Sequence, residues 1–352
     1  MSFTKVLNFK ISNRQIGLKY KPLIIVELGI NHNGKFSIAK QIIDKAKMAG
    51  AEIIKHQTHL PDFEMSEEAK KITPIHTRDN IFKIISDCSL SESDEIKLKK
   101  YIQKKKMIFI STPFSREASN RLNKMNVPAF KIGSGECNNY PLIEHICKFN
   151  KPIILSTGMN NIAQIKKAVK IIEKNKISYA LMHTTNLYPT PYNLIRLNAL
   201  NQLKKAFPKA ILGLSDHTGD NYTSYAAIAM GASIIEKHFV DNKKKRKGPD
   251  ISASIDYHQL KDLIEGCNKI HKSMPGEKIP VKEEEATMKF AFASVVSIKD
   301  IKKGDRLSYK NIWVKRPGTG NFLAKDLTKL IGKVAQRNIK NNIQIKKKDL
   351  KS

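Results

Sequence analysis

Gly213-Leu214-Ser215-Asp216-His217-Thr218 and, after a short helix-like run, Ile234-Ile235-Glu236-Lys237-His238-Phe239 decide the fold of this chain. The stretch closes in Gly248-Pro249-Asp250-Ile251-Ser252. Two apolar runs each finish in a polar cluster, and each cluster holds a histidine. If both runs are neighbouring parallel strands, His217 and His238 stand side by side at one sheet edge, beside Asp216, Glu236 and Asp250. Neutral imidazoles placed that way are ligands for a divalent metal. Hydrogen-bonded polar residues on two strand ends are the plain alternative.

The same rhythm extends outward. Short aliphatic runs occupy 23–28, 52–56, 107–111, 129–132, 152–156, 179–183, 210–214 and 233–237, with helical segments between them. In 38–48, for example, Ile42, Ile43 and Ala46 fall at helical spacing. Continuous apolar runs suit strands buried on both faces of a parallel sheet. Eight such β-α units predict an α/β chain built as a TIM (β/α)8 barrel. An open doubly wound sheet would carry a glycine-rich phosphate turn after its first strand, and GxGxxG spacing is absent there. A leader hairpin, from Val6 through a turn at Ser12-Asn13-Arg14 to Leu18, is placed to cap the barrel bottom. The expected barrel domain covers 1–272, and a turn-rich, charged linker covers 273–289. From 290 to 352 the texture changes to short strands and turns, predicting a small β-rich domain.

The totals bound the function. With 352 residues and 41% hydrophobic content there is material for a large core. No run approaches the roughly 20 apolar residues of a membrane span, and the N-terminus lacks a signal-peptide pattern. A soluble, cytoplasmic protein without membrane attachment is expected. Cys88, Cys137, Cys147 and Cys267 show no CxxC spacing, so reduced thiols are expected. The formal net charge of +31 invites a nucleic-acid reading. It comes from 54 Lys against 9 Arg, scattered along the chain, with only 7% aromatics. Nucleic-acid readers rely on arginine and stacking, so no nucleic-acid partner is expected. The field would attract anionic substrates.

In a TIM barrel the chemistry sits at the C-terminal strand ends. Here every run turns polar at that end. Glu27 is followed by Asn31-His32-Asn33-Gly34, and Lys55-His56-Gln57-Thr58-His59 closes the second run. Then come Ser111-Thr112-Pro113, Lys131-Ile132-Gly133-Ser134-Gly135-Glu136, Ser156-Thr157-Gly158 and His183-Thr184-Thr185-Asn186-Leu187-Tyr188. Lys55, Lys131, Ser134, Ser156 and Ser215 offer cations and small donors for a phosphate or carboxylate. A divalent ion on His217 and His238 could polarise an aldehyde oxygen, and Glu27 could orient or deprotonate water. Together these point to carbon–carbon bond formation. A Schiff-base aldolase, with Lys55 or Lys131 as nucleophile, is the competitor. A basic binding protein on an inactive barrel is a reading of another class.

These motifs, with Glu27-Leu28-Gly29-Ile30-Asn31-His32-Asn33-Gly34, Asn186-Leu187-Tyr188-Pro189-Thr190-Pro191-Tyr192 and Glu236-Lys237-His238-Phe239, resemble the bacterial N-acetylneuraminate (sialic acid) synthases over essentially the whole chain. Phe290-Ala291-Phe292-Ala293-Ser294 and Lys315-Arg316-Pro317-Gly318 resemble their C-terminal SAF, antifreeze-like domain. The resemblance implies a transferase that condenses phosphoenolpyruvate with N-acetylmannosamine and water, by C–O cleavage of the phosphate. It implies Glu27, His217, His238 and Arg316 as catalytic residues. His217 and His238 would carry Mn2+, with Mg2+ or Co2+ as substitutes. Lys55, Thr112, Lys131, Ser134, Ser156, Asn186 and Ser215 would hold phosphoenolpyruvate. Gln57, Tyr188, Asp250 and Phe290 would contact the sugar, with Glu236 also in the substrate site. Arg316 would reach the N-acetyl group from a partner subunit, in a domain-swapped homodimer. Legionaminic, pseudaminic and 9-phosphate synthases are the related alternatives, and His56 within the Lys55–His59 motif is taken to favour the neuraminate group. The segment 241–247 is more basic and about one residue longer than the family pattern, and Thr319 stands where some members carry Asn.

Overall fold

The computed structural model describes residues 7–74 and 79–350. The chain divides into two compact units between Pro275 and Gly276. In the first, a hairpin of β1 (Phe9–Ile11) and β2 (Arg14–Ile16) precedes eight parallel strands. These are β3 (Leu23–Glu27), β4 (Ile53–Thr58), β5 (Ile108–Pro113), β6 (Phe130–Ile132), β7 (Ile153–Ser156), β8 (Tyr179–Thr184), β9 (Ile211–Asp216) and β10 (Ile234–His238). They close into a barrel in sequence order, with β10 pairing back onto β3. All eight runs expected from the sequence are strands of this barrel. Val6, the first residue expected in the hairpin, lies outside the described residues.

The continuous apolar character of the runs has two destinations. Alternate residues face opposite sides of a strand. Ile24, Val26, Ile54, Phe109, Phe130, Leu155, Leu181, Leu212 and Ile235 pack outward against the helices. Ile25, Ile53, Ile110, Ala129, Ile154, Met182 and Ile234 fill the barrel interior, together with Phe9, Ile11 and Ile16 of the hairpin. The hairpin thus plugs the end where the strands begin. Helix Phe36–Met48 buries Ala39, Ile42, Ile43 and Ala46, the stripe its periodicity predicts. Capping boxes at Asn161 with Gln164 and at Asp256 with Gln259 fix where helices Ile162–Lys174 and Tyr257–Ser273 begin, each worth about 1 kcal/mol.

Two residues beyond the interior apolar layer, the same strand faces turn polar. Ile25 leads to Glu27, Ile53 to Lys55, Ile110 to Thr112, Ala129 to Lys131, Ile154 to Ser156, and Ile234 to Glu236. Strand parity therefore builds a buried polar floor on top of an apolar plug.

The second unit has its own core of Val295, Ile301, Leu307, Ile312, Leu327, Leu330, Ala335, Ile339, Ile345 and Leu350. Its named strands, β11 (Ser294–Ser297) and β12 (Ile312–Lys315), pair antiparallel. Single bridges such as Ile301 to Ile339 take the place of the further strands its texture suggests. The charged segment read as a linker contains a helical turn and helix Glu285–Ala291. Among the described residues no helix is long and apolar enough to cross a membrane.

Candidate active site

β9 and β10 are neighbours in register, Asp216 opposite Lys237. His217 and His238 consequently meet above them, ring centroids 5.4 Å apart. Glu236 faces the interior with them, whereas Asp216 points the other way. Its carboxylate lies 3.0 Å from Lys237 Nζ, with both side chains 0% exposed. It also accepts from Thr218 N, Thr218 Oγ1, Thr223 Oγ1 and Ser224 Oγ at 2.6–2.9 Å. Asp216 therefore belongs to the barrel wall and not beside the histidine pair, as strand parity requires.

The interior floor is a charge cluster. Lys55 and Lys131 are 3% and 2% exposed. Lys55 Nζ lies 2.8 Å from Glu27 Oε2 and 3.8 Å from Glu236 Oε1, and donates to Thr112 Oγ1 at 3.2 Å. Lys131 Nζ lies 3.5 Å from Glu236 Oε1 and donates to Ser156 Oγ at 2.6 Å. Ser215 Oγ donates to Glu236 Oε1 at 3.0 Å. Burial opposes every one of these charges. For Lys55 that penalty is outweighed by Glu236 and Glu27, and its pKa is raised. For Glu236 it is outweighed by Lys131 and Lys55, which hold the carboxyl well below its usual range. For Lys131 burial wins, aided by the charge of Lys55, and the ammonium is pulled down to about 8. Two carboxylates balance two ammonium groups, so an incoming anion would find Lys131 the less firmly paired cation.

Beside this floor lies a small-residue cradle. Gly158 N donates to Ser134 Oγ at 3.1 Å. A Cβ on Gly158 would collide with Asn186 Oδ1 and Ser134 Oγ. Asn186 Oδ1 is buried without a hydrogen-bond partner, which leaves that oxygen to accept from a ligand.

The histidine side is set by backbone contacts. His217 Nδ1 donates to Thr185 O at 2.8 Å, which makes Nε2 the acceptor nitrogen, 3.5 Å from Ser215 Oγ. Burial and the neighbouring His238 drive its pKa down to about 3, keeping the ring neutral. His238 Nδ1 is buried with no hydrogen-bond partner, and Asp250 Oδ2 stands 3.4 Å away. Asp250 reaches that position because Gly29 adopts φ +52, and a side chain there would strike its carboxylate. Tyr188 stacks on His217 at 4.1 Å and meets His238 edge-on. The basic segment 241–247 folds on itself, Arg246 pairing with Asp241 and Asn33 Nδ2 donating to Lys247 O. No group of three or more metal-ligating side chains occurs among the described residues. The paired imidazoles of His217 and His238 fit a divalent ion as a partial ligand set.

Gln57 also lines the interior, donating from Nε2 to Glu27 Oε1 at 2.7 Å. Behind it stand His59 and Glu64, which sequence reading did not single out. His56 is turned outward, its Nε2 3.2 Å from Glu95 Oε1 and both side chains 1% exposed. Its ring lies near His32 and Phe109, on the strand face opposite Lys55 and Gln57. Phe290 and Arg316 lie in the second unit, Phe290 on helix Glu285–Ala291 and Arg316 just after β12, both exposed.

The chain matches the NeuB family over residues 42–279 and the SAF domain over residues 292–351. It is 38% identical to an N,N'-diacetyllegionaminic acid synthase of Campylobacter jejuni, covering 91% of this chain and 97% of the relative. It is 27% identical to the human N-acetylneuraminate-9-phosphate synthase, covering 91% and 90%. The solved N-acetylneuraminic acid (sialic acid) synthetase of Leptospira borgpetersenii superposes with a TM-score of 0.74 at 28% identity, covering 80% of this chain and 95% of that one.

Proposed function

This chain belongs to the NeuB family and ends in a SAF domain, and from that premise we propose that it condenses phosphoenolpyruvate with the open-chain aldehyde of N-acetylmannosamine, giving N-acetylneuraminate and phosphate. The observation that carries the reading is the pair of buried lysines converging on Glu236 and Glu27 beneath the two histidines. Lys55, Lys131, Thr112, Ser156, Ser215, Ser134 and Asn186 hold the phosphate and carboxylate. Such preorganised donors act most strongly where water is excluded. C3 of phosphoenolpyruvate attacks the aldehyde carbon, and the cationic C2 is captured by water that Glu27 orients. Collapse by C–O cleavage then releases phosphate and leaves the α-keto acid. Tyr188, Asp250 and Gln57 line the acceptor side. His217 and His238 would hold a divalent ion, Mn2+ first, which would supply Lewis acidity at the aldehyde oxygen.

A second acceptor is favoured by a specific observation. The legionaminic acid synthase of Campylobacter is 38% identical, against 27% for the human 9-phosphate enzyme. Phosphate release should be measured with N-acetylmannosamine, its 6-phosphate and a 2,4-diacetamido hexose, each with Mn2+ and with excess chelator. Turnover of N-acetylmannosamine, lost on chelation, is expected. Turnover of the diacetamido sugar alone would replace the acceptor, and full rates in chelator would remove the metal.

Arg316 acts, in this proposal, across a homodimer, its exposed Pro/Gly loop reaching the N-acetyl group in the partner's barrel. Mixing an Arg316→Ala chain with a His238→Ala chain should then restore up to about a quarter of wild-type activity per chain, the statistical share of intact sites after random exchange. No recovery after demonstrated subunit exchange would place Arg316 in its own subunit's site. The cytoplasm is the proposed location, in keeping with four free cysteines.

A further inference from the structure

An unbroken line of polar contacts leads from the charge cluster to the loop after β4. Lys55 Nζ is paired with Glu27 Oε2, and Glu27 Oε1 accepts from Gln57 Nε2 at 2.7 Å. Gln57 Oε1 lies 3.1 Å from His59 Nε2. His59 Nδ1 lies 2.9 and 3.1 Å from the two oxygens of Glu64. Glu64 ends the short helix Pro61–Glu64, and its Oε2 also accepts from Leu60 N. The His59 and Glu64 side chains are 5% and 6% exposed. The His59 ring stacks on Phe114 at 4.2 Å, within 12° of parallel, so it cannot turn freely.

Donor accounting gives the line a direction. Glu27 is paired with an ammonium group and can only accept, so Gln57 must present its NH2 to it. The carbonyl oxygen of Gln57 then faces His59, and only a protonated Nε2 satisfies it. Glu64 sits on the opposite nitrogen and shares the proton held there. If His59 did not donate from Nε2, nothing on that side would prevent the Gln57 amide from flipping. A flipped amide would set its carbonyl oxygen against the Glu27 carboxylate and push that group off its position.

We infer that His59 and Glu64 are positioning residues that fix the orientation of the Gln57 amide and, through it, the Glu27 carboxylate. The effect on turnover rests on the reaction proposed above, whereas the hydrogen-bond direction does not. Neither residue need touch a substrate. The line ends on Glu27 and is separate from the Lys131–Ser156 contact, so it should govern the step that needs Glu27 more than the binding of phosphoenolpyruvate.

The test is a double-mutant cycle read in kinetics, with one spectroscopic measurement that needs no substrate. His59→Phe keeps an aromatic ring on Phe114 but cannot donate. It should lower kcat about 10–100-fold, with KM for phosphoenolpyruvate changed by less than about twofold. Glu64→Gln should lower kcat by a smaller factor in the same sense. In a Gln57→Met background, where no amide remains to orient, His59→Phe should change kcat by less than about twofold. An equal loss in both backgrounds would make His59 a packing residue and overturn the inference, as would wild-type kcat in His59→Phe. The substrate-free measurement is the one-bond 15N–1H imidazole spectrum of the full chain. It should show a protected His59 Nε2–H signal, assigned by its absence in His59→Phe and shifted in Gln57→Met. A His59 ring without that proton would overturn the relay whatever the acceptor. A wild-type enzyme inert to every acceptor, with the Nε2–H signal present, would instead overturn the proposed reaction and leave the bond direction supported.

Discussion

Replacing Lys131 by methionine is expected to lower kcat/KM for phosphoenolpyruvate about a thousandfold, the scale of losing one preorganised charge donor in a dry site, while the barrel stays folded. The choice between the two lysines follows from their partners. Removing Lys55 would strip Glu27 of an ammonium group 2.8 Å away and leave a buried carboxylate unpaired, a structural penalty mixed with a catalytic one. Removing Lys131 leaves Glu236 with Lys55 at 3.8 Å and Ser215 at 3.0 Å. Lys131 is also the cation that burial and Lys55 pull down to about 8. The charged form is the one that binds an anion, so wild-type kcat/KM should fall as pH rises through about 8, and the variant should lack that limb. A thermal melt within a few degrees of wild type would show that the loss is chemical. A Lys131→Met enzyme retaining a tenth of wild-type kcat/KM would remove this lysine from the anion site. An amine near 8 also meets the requirement for imine chemistry, so borohydride with either substrate should fail to trap a covalent adduct. Trapping at Lys131 would revive the Schiff-base reading.

The largest effect on stability is expected at the wall of the barrel. Asp216→Asn should cost about 3–5 kcal/mol, because it leaves the Lys237 ammonium buried without its counter-charge. Asp216→Leu combined with Lys237→Met should recover most of that loss, since an apolar pair needs no desolvation of charge. Denaturant unfolding of wild type and these two variants decides this, and an Asp216→Asn protein within about 1 kcal/mol of wild type would refute it. The acid limb carries the same information. Burial raises the Asp216 pKa, but Lys237, Ser224, Thr223 and Thr218 outweigh it and lower it overall. A depressed carboxylate contributes stability in full above its unfolded-state value and loses it as pH falls through the folded one. Wild type should therefore lose stability progressively below about pH 4, and Asp216→Asn should lose less over that window.

The barrel was legible because burial on both faces writes each strand as an unbroken aliphatic run. The polar ends of those runs located the site for the same reason. What each polar residue does depends on parity. Lys55, Gln57 and His59 share one face of β4 and its extension, and His56 takes the other, yet His56 was the residue weighed for specificity. Asp216 was grouped with His217 when alternation sends it to the wall. Glu64 carried no local signal. Its role appears only once helix Pro61–Glu64 folds back over His59. Asp250 is reached across a basic segment that pairs internally, and its approach to His238 depends on the backbone of Gly29, more than 200 residues away in the chain.

The polar floor and the acceptor side differ in how they are built. Lys55, Thr112, Lys131, Ser156, Ser215 and Glu236 all stand on strands whose register is fixed by neighbours on both sides. Tyr188 and Asp250 stand in the connections after β8 and β10. A single-residue slip in a strand would exchange its inner and outer faces, so the donor machinery tolerates almost no rearrangement. The connections can lengthen, shorten or change sequence without disturbing it. On the reaction proposed above, this scaffold is suited to acquiring new sugar acceptors by transplanting two loops onto an untouched anion-binding floor, and a change of product would leave little trace in the strands.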